Sequence, residues 1–196
     1  NANYGYEGFY TNSLFKFDEK FEPYLNNSIE LGRSFVQPKY WGSRALDYLW
    51  QGIGAYLYKN QHIRYMFGGV SLSAGMPRNA QELIIYYYDK HYGDKKEYIH
   101  PKNHFKYAGN SIETLDTIFI GETPEENLKI LKEHLGFYGV TIPTLYKQYT
   151  DLCEEKGISF MGYNVDKDFE NCIDSFILVD VEKIKERKRS RYIKES

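Results

Sequence analysis

The chain has 196 residues, of which 42% are hydrophobic, and a formal net charge of −2. This length and composition allow a sizeable buried core, which excludes a disordered protein and favours a single domain. The slight acidic excess argues against a nucleic-acid binder, because such domains usually carry a clear basic excess. Two cysteines, Cys153 and Cys172, are too few for a disulfide framework, so we expect a cytoplasmic protein.

The first half of the chain predicts a strand, a helix and a second strand. Residues 1–10 carry no clear start signal for either type of element. Residues 29–36 alternate in polarity and are rich in Ile, Phe and Val, which predicts a strand. Apolar residues recur at helical spacing over 44–58, and residues 63–72 predict a second strand.

Helices dominate the second half, and two strands follow them. Pro77 can take the first turn of a helix that ends near Gly93, and residues 100–110 predict a loop. The later elements are a helix from a capping box at 123–126 to Gly136, a helix over 143–156, strands over 158–165 and 172–181, and a basic helix over 183–196. Strands interleaved with helices indicate an α/β or α+β fold.

The turn between the first strand and the first helix has features of an anion site. Gly42 allows a ligand to approach the backbone just before the helix, whose N-terminus presents unpaired N–H groups. Arg44 adds a planar guanidinium that fits phosphate oxygens. On these residues alone, an ordinary strand–helix connection with a surface arginine is the better interpretation.

Two charged residues of the first strand need an explanation. In a regular strand Glu30 and Arg33 would point to opposite faces, which is costly in a central strand unless the charges are paired or functional. A bulge could re-aim one of them toward a site, or one face could be a cleft. A third interpretation is an edge strand whose charges are both solvated.

Two segments, "ELGRSFVQPKYWGSRALDYLWQGI" and "YMFGGVSLS", together resemble the ornithine-lipid type of N-acyltransferase. This family belongs to the GNAT superfamily and is often labelled hemolysin-like. The shared pattern is a Glu-Leu-Gly-Arg-Ser strand, a Pro-x-Tyr-x-Gly turn, a Leu-Trp-x-Gly-Ile helix segment and a Phe-Gly-x-Val-Ser strand. Residues 142–184 are similar to the family's end, including an Asp-x-Phe-x-Leu-x-Asp strand.

The resemblance implies a GNAT-like α/β (α+β) fold, with a splayed mixed sheet flanked by helices. Only 28 residues precede the Glu30 strand, so we expect a single domain over 1–196 that lacks the leading strands. Such a domain would be a truncated or C-terminal part of a longer protein, and the fragment alone could be inactive. The pantetheine arm of an acyl thioester would lie between strands 29–36 and 63–72, with its phosphate at 41–45.

The family moves 3-hydroxyacyl groups from acyl carrier protein to an amino-acid amine, ornithine or in some relatives glycine, in bacterial aminolipid synthesis. The resemblance makes Glu30 the candidate base, with Arg33 orienting it or holding the acceptor's carboxylate; a structural carboxylate explains Glu30 equally well. The implied donor-binding residues are Phe35, Val36, Trp41, Gly42, Ser43, Arg44 and Ser71. Arg44 replaces the small residue of the superfamily's usual phosphate loop, which favours a phosphopantetheine donor over full coenzyme A.

No permanently bound cofactor is expected, since the acyl thioester, on carrier protein or coenzyme A, is a co-substrate. No metal is expected either, because His100 and His104 lack a third ligand at useful spacing. The rival function is a non-catalytic or degenerate acyltransferase module that docks a partner or a membrane.

The tail over 183–196 concentrates positive charge in a slightly acidic chain. Acidic carrier proteins and anionic inner-leaflet lipids would both be attracted to it, so we expect a carrier-protein partner and peripheral contact with the inner membrane. The other interpretation is a solvated helix end that complements its own dipole.

Overall fold

The computed structural model describes residues 6–32 and 34–194. The helices in these ranges are α1 (Thr11–Leu14), α2 (Glu22–Leu25), α3 (Ala45–Lys59), α4 (Arg78–Tyr92), α5 (Ile112–Ile118), α6 (Pro124–Phe137), α7 (Thr144–Leu152) and α8 (Glu186–Tyr192). The strands are β1 (Phe15–Phe17), β2 (Ser28–Glu30), β3 (Tyr65–Leu72), β4 (Ile99–Pro101), β5 (Ile158–Asp166) and β6 (Cys172–Asp180). The chain is therefore of the mixed α/β type.

Four strands form one mixed sheet in the order β2–β3–β6–β5. Strand β2 runs parallel to β3, whereas β3 and β5 are both antiparallel to β6. Within the described residues β2 is an edge strand and contains only Ser28–Glu30. The prediction of a central strand over 29–36 is therefore wrong. Of this range only Ile29 and Glu30 belong to β2, and the chain leaves the sheet after them.

A second, two-stranded sheet pairs β1 with β4 in antiparallel fashion. It continues into segment 102–105, which lies along β5: the Phe105 N–H donates to Tyr163 O at 3.0 Å, and the Val165 N–H donates to Asn103 O at 2.8 Å. The predicted loop at 100–110 is thus wrong in its first part. Strand β1 precedes β2 in the chain, but it belongs to this second sheet.

Each face of the mixed sheet is covered by a different part of the chain. On one face Met66 and Val70 of β3, with Ile173 and Ile177 of β6, pack in the same cluster as residues of helices α3, α4, α6 and α7. These side chains alternate along their strands with residues of the opposite face. The predicted strands at 63–72, 158–165 and 172–181 are confirmed as β3, β5 and β6.

Aromatic side chains from the N-terminal part of the chain cover the other face. The rings of Phe67 and Phe176 stack there with centroids 5.7 Å apart. Phe9, Phe15 and Phe21 pack on this pair and are all buried. Each such side chain contributes about 1.5–3 kcal/mol when fully buried, so this segment is an integral part of the core.

Helix boundaries follow local signals. The capping box is confirmed, since Thr123 accepts from the Glu126 N–H and the Glu126 side chain reaches back to the Thr123 N–H. Helix α7 ends earlier than predicted, at Leu152, because Cys153 has an extended backbone and forms a β-bridge with Ile184. Helices α1, α2 and α5 are all short and were not predicted.

The C-terminal helix α8 packs closely on α3. A Cβ atom at Gly54 would lie 1.9 Å from the Tyr192 carbonyl oxygen, so only glycine fits this crossing. Arg191 and the Tyr192 hydroxyl both donate to Asp47 Oδ1, at 2.6 and 3.0 Å. Within 6–32 and 34–194, none of the helices has the length and apolar character needed to cross a bilayer.

Candidate functional site

Strands β2 and β3 part just after Glu30. The last bond between them runs from the Leu31 N–H to Phe67 O, at 2.7 Å. A Cβ atom at Gly68 would lie 2.1 Å from the Leu31 carbonyl oxygen, so glycine is needed for the two segments to come into contact here. Strand β3 continues to Leu72, paired with β6, while the segment that follows β2 turns away from β3. The result is a wedge between two parallel strands.

A cavity of about 510 Å³, which we call the strand cleft, occupies this wedge. Val70 on its wall belongs to the helix-facing side of β3, whereas Ser71 belongs to the opposite side. The cleft therefore passes through the sheet. Phe35 and Ser71, two predicted donor-binding residues, both line it.

A larger cavity of about 1550 Å³, the outer cleft, lies between the open edge of β2 and helix α3. Ser43 and Arg44 line it beside the N-terminus of α3, and Tyr48, Gly52 and Tyr56 line it along that helix. The two clefts share Leu31, Leu49 and Ile53, so they are neighbours. Together they offer ample space for a long, thin substrate, since ligand pockets commonly measure about 300–1,000 Å³.

The turn before α3 is built as the sequence predicts. Gly42 has φ +75°, a left-handed conformation that glycine adopts without strain, and its Cβ position faces open space. The Trp41 Nε1–H donates to Val36 O at 2.8 Å and braces the preceding loop. Helix α3 begins at Ala45, and its N-cap residue Arg44 makes no side-chain cap. The N-terminus of α3 thus adjoins the outer cleft.

Arg44 is engaged by an acidic residue one turn into its own helix. Its guanidinium pairs with Asp47 Oδ2 at 3.1 Å and is largely exposed. Desolvation alone would raise the pKa of the Asp47 carboxyl, but hydrogen bonds from Arg44, Tyr192 and Arg191 lower that pKa to about 2. Asp47 therefore stays ionised and ties the predicted anion-binding arginine to helix α8.

Glu30 is held by the N-terminal segment. Its Oε2 accepts from the Tyr10 N–H at 2.9 Å, and its Oε1 accepts from the Thr11 N–H and hydroxyl, both at 2.7 Å. The carboxylate thus lies at the N-terminus of the short helix α1, where backbone N–H groups favour an anion. This geometry favours the structural interpretation of Glu30, although the residue also borders the outer cleft.

A second carboxyl group was given no role from sequence and lies in the strand cleft. Asp174 of β6 is opposite Ser71 of β3, and its Oδ1 accepts from the Ser71 hydroxyl. Burial raises the pKa of Asp174, the Ser71 hydrogen bond opposes this, and nearby Asp166 raises it further. The available signal was the first Asp of the Asp-x-Phe-x-Leu-x-Asp strand, which is Asp174.

The remaining predicted residues are distributed as follows. Arg33 lies outside the described residues. His100 lies on β4 opposite Lys16, and His104 forms a bridge with Asn164. In the part of the chain that is described, no three His, Cys, Asp or Glu side chains are grouped so that they could hold a metal ion.

The basic tail is largely paired within the molecule. Lys185, Arg187 and Lys188 all contact the carboxylate of Asp151. Arg189 donates to a backbone carbonyl, that of Val181, at 2.6 Å. One carboxylate cannot neutralise three cations, so the surface remains positive, but the side chains are more ordered than in a solvated tail.

Comparison with known proteins gives two kinds of match. Residues 1–51 match the family model described as an acetyltransferase (GNAT) domain. Two curated proteins named glycine N(alpha)-acyltransferase match over 191 residues, or 93% of this chain. The one from Bacteroides thetaiotaomicron is 33% identical with 56% of its length covered, and the one from Phocaeicola vulgatus is 31% identical with 58% covered.

The chain thus spans somewhat more than half the length of these two relatives. No solved structure gives a significant match.

Proposed function

We propose that this chain is the acyl-transfer part of an N-acyltransferase that acts on the amine of an amino acid. The family-model match and the two curated relatives support a GNAT N-acyltransferase, and the mixed sheet flanked by helices is consistent with the GNAT fold. The observation that carries the proposal is the wedge between β2 and β3, because it opens a cleft through the sheet between two strand edges.

The strand cleft suits the arm of an acyl thioester. Beyond Leu31, the edge of β3 that faces the wedge no longer pairs with β2, so its backbone groups can bond an extended chain of amides. Apolar side chains such as Leu49, Ile53 and Phe35 surround this edge. The thioester carbonyl would then lie in the wedge, where backbone N–H groups can polarise it.

The donor's phosphate belongs, in this proposal, at the turn 41–45. The left-handed Gly42 and the N-terminus of α3 supply N–H groups and a favourable dipole for an anion. The exposed Arg44–Asp47 pair contributes only about 0–1 kcal/mol, so Arg44 can turn from Asp47 to a phosphate at little cost. We propose carrier-protein phosphopantetheine as donor, with coenzyme A as the alternative.

The acceptor is proposed to be glycine, since both relatives carry that name, with ornithine as the alternative. Amide formation needs a neutral amine that attacks the thioester carbon, forming the C–N bond and breaking the C–S bond. One amine proton must be removed before attack and a second passes to the departing thiolate. The product would be an N-acyl amino acid, an early aminolipid.

Glu30 could act as the base only at a cost in hydrogen bonds. All of its hydrogen bonds described above hold the N-terminal segment, and they would have to break for it to reach an amine. The assignment of Glu30 as base, and of Arg33 beside it, therefore remains a prediction. The strand cleft offers another carboxyl group.

The basic tail is proposed to help the enzyme reach an acidic carrier protein or an anionic membrane surface. Its ion pairs with Asp151 leave excess positive charge on an exposed face. Such attraction would fade as salt shortens the Debye length from about 10 Å at 0.1 M to about 3 Å at 1 M. Peripheral contact would suit an enzyme whose product is a lipid.

The test is acyl transfer by the full-length protein. It should be incubated with 3-hydroxyacyl carrier protein or the matching acyl-coenzyme A, and with glycine or ornithine, and the lipids identified by mass spectrometry. We expect N-acylglycine from the carrier-protein donor. If no combination yields an acylated amine while either donor binds, the chain is a docking module and the proposed activity is wrong.

A further inference from the structure

Asp174 is the most unusual polar side chain of the strand cleft. It lies on β6 directly across from Ser71 of β3, past the point where β2 has left the sheet. Its neighbours in the strand, Ile173 and Ser175, are both fully buried. The residue is therefore presented by a rigid central pair of strands rather than by a loop.

Asp174 is 3% exposed and only half satisfied. Its Oδ1 accepts from Ser71, but its Oδ2 is buried and has no hydrogen-bond partner among the described residues. A buried polar atom without a partner costs about 1–3 kcal/mol, and more when it is charged. Because Asp174 is among the residues that line the strand cleft, a ligand bound there is a candidate for the missing partner.

The chemistry of the cleft selects the charge of that ligand. Of the described residues that line the strand cleft, none is basic, and apart from Asp174 the titratable ones are Tyr10 and Tyr149. Asp166, whose charge raises the pKa of Asp174, is also acidic. A cation is favoured here, and its hydrogen-bond donors would meet Oδ2.

The cleft is also in the right place for an amine acceptor. Val70 and Phe35 on its walls would flank a thioester lying between the strands, so an amine at Asp174 would approach the thioester from the N-terminal-segment side of the sheet. The opposite side is closed by helices α3 and α7, which contribute Trp50 and Tyr149. The acceptor would therefore meet the donor from the side of the sheet that carries Asp174.

We propose that Asp174 is the catalytic residue that binds the acceptor's ammonium group and removes its proton. This inference rests on the proposed function. Asp174 Oδ2 accepts one proton from the ammonium, and the neutral nitrogen attacks the thioester carbon. The C–N bond forms, the C–S bond breaks, and the thiolate takes a second proton from the same nitrogen. The Asp174 proton then passes to solvent, so one proton is released for each amide formed.

Burial makes Asp174 better suited to this step than an ordinary aspartate. An exposed carboxylate is a weak base toward an ammonium ion, whereas desolvation and Asp166 raise the pKa of Asp174 and bring it closer to that of the amine. Ser71 holds the carboxylate through Oδ1 and leaves Oδ2 without a partner for the acceptor. In this proposal Ser71 is a positioning residue.

The main experiment compares two acceptors in the full-length protein carrying Asp174→Asn. With glycine, kcat/KM should fall by about a hundredfold or more, as expected for loss of a general base. Aminooxyacetate has a nitrogen that is already unprotonated at neutral pH, so its transfer should fall by less than about tenfold. Asp168→Asn is the matched control, because this exposed residue lies in the turn between the same two strands. We expect it to transfer glycine like the wild type.

An equal loss with both acceptors would mean that Asp174 only supports the fold, and unchanged glycine transfer would mean that it has no role. Either result overturns the proposal.

Gly69→Val provides a second test should Asp174→Asn fail to fold. A Cβ atom at Gly69 would lie 4.0 Å from Asp174 Cβ, which is an ordinary contact, and the larger valine side chain would fill the adjacent cleft. It should raise the KM for glycine about tenfold; an unchanged KM overturns the proposal.

Glycine binding separates this inference from the proposed function. Saturation-transfer NMR of glycine with the full-length protein, in the presence of coenzyme A, needs no acyl transfer. If the wild type transfers no acyl group but binds glycine in a manner that Asp174→Asn abolishes, the amine site stands and the enzymatic proposal fails. Equal glycine signals from the wild type and from Asp174→Asn would show that Asp174 does not bind the amine, even if the enzyme is active.

Discussion

Two carboxyl groups lie beside the wedge between β2 and β3, Glu30 at the outer cleft and Asp174 in the strand cleft, and their hydrogen bonding differs greatly. On the β2 side, Glu30 accepts three hydrogen bonds from residues 10 and 11 and joins a strand to the N-terminal segment. On the β6 side, Asp174 accepts one hydrogen bond and keeps a buried oxygen unpaired. The difference teaches that hydrogen bonding separates the two groups: the carboxylate of the Glu-Leu-Gly-Arg motif is occupied by the N-terminal segment, whereas Asp174 keeps an oxygen free of such bonds.

The largest effect should come from removing the satisfied carboxylate. Glu30→Ala leaves the Tyr10 and Thr11 N–H groups without their acceptor, and hydrogen bonds to charged groups contribute about 1.5–3 kcal/mol each. We expect the free energy of unfolding to fall by about 3 kcal/mol in urea titrations. The exposed Glu19→Ala in the same segment is the control and should change it by less than about 0.5 kcal/mol.

The same position tests the catalytic prediction for Glu30. Glu30→Gln keeps one carbonyl oxygen as an acceptor, so we expect turnover of the full-length protein within about tenfold of the wild type. A loss of a hundredfold or more in a variant that remains folded would reverse the comparison and make Glu30 the base.

The second effect concerns the point where the two sides separate. Gly68→Ala places a Cβ atom against the Leu31 carbonyl oxygen, so β2 must shift away from β3. We expect a loss of about 2 kcal/mol in the free energy of unfolding, as is usual for an overpacked site. Gly69→Ala is the matched control, because its Cβ makes only an ordinary contact. Equal stability of the two variants would show that the wedge does not depend on Gly68.

The third effect lies outside the strand cleft, at the turn before α3. Gly42→Glu puts a negative charge and a strained residue at the proposed phosphate site, and the KM for the acyl donor should rise about tenfold. Gly139→Glu has the same type of backbone, with φ +65° and open space around its Cβ, but follows helix α6. It should leave the donor KM unchanged. A normal donor KM in Gly42→Glu would exclude this turn as the phosphate site.

The smallest effect is a gain of stability at Asp174. Its pKa is raised by burial and by Asp166, so the folded state binds this proton more tightly than the unfolded state does. The resulting stabilisation is complete below the unfolded pKa of about 3.9 and is lost as the pH rises through the folded pKa. Asp174→Asn imitates the protonated form, so its Tm should exceed that of the wild type at pH 7 and approach it near pH 4. A lower Tm at pH 7 would mean that Asp174 has a buried partner.

The sequence was most informative where local chemistry decides the structure. The capping box at Thr123, the proline-led α4 and the alternating strands β3, β5 and β6 all appear as predicted. Local residues cannot show what lies beside them in space. The length of β2 is set by the departure of the chain against Gly68, and the end of α7 by the pairing of Cys153 with Ile184.

The same distinction between local signals and spatial contacts applies to the candidate site. The resemblance to a family directed attention to Glu30, Gly42 and Arg44, and the structure gives two of them partners that the sequence did not reveal, residues 10 and 11 for Glu30 and Asp47 for Arg44. Asp174 was missed because its significance comes from burial, from an unpaired oxygen and from a cavity. None of these properties can be seen in the order of residues.

The aromatic cover of one sheet face has a consequence for biosynthesis. Phe9, Phe15 and Phe21 are made long before Phe176, the β6 residue on whose ring Phe15 and Phe21 pack edge-on. At translation rates of about 5–20 residues per second, these rings emerge roughly 10–30 s before their docking surface exists. During that interval the aromatic segment lacks the β6 part of the cluster that buries it in the folded protein. The aromatic cover of this sheet face is thus complete only after β6 has been made.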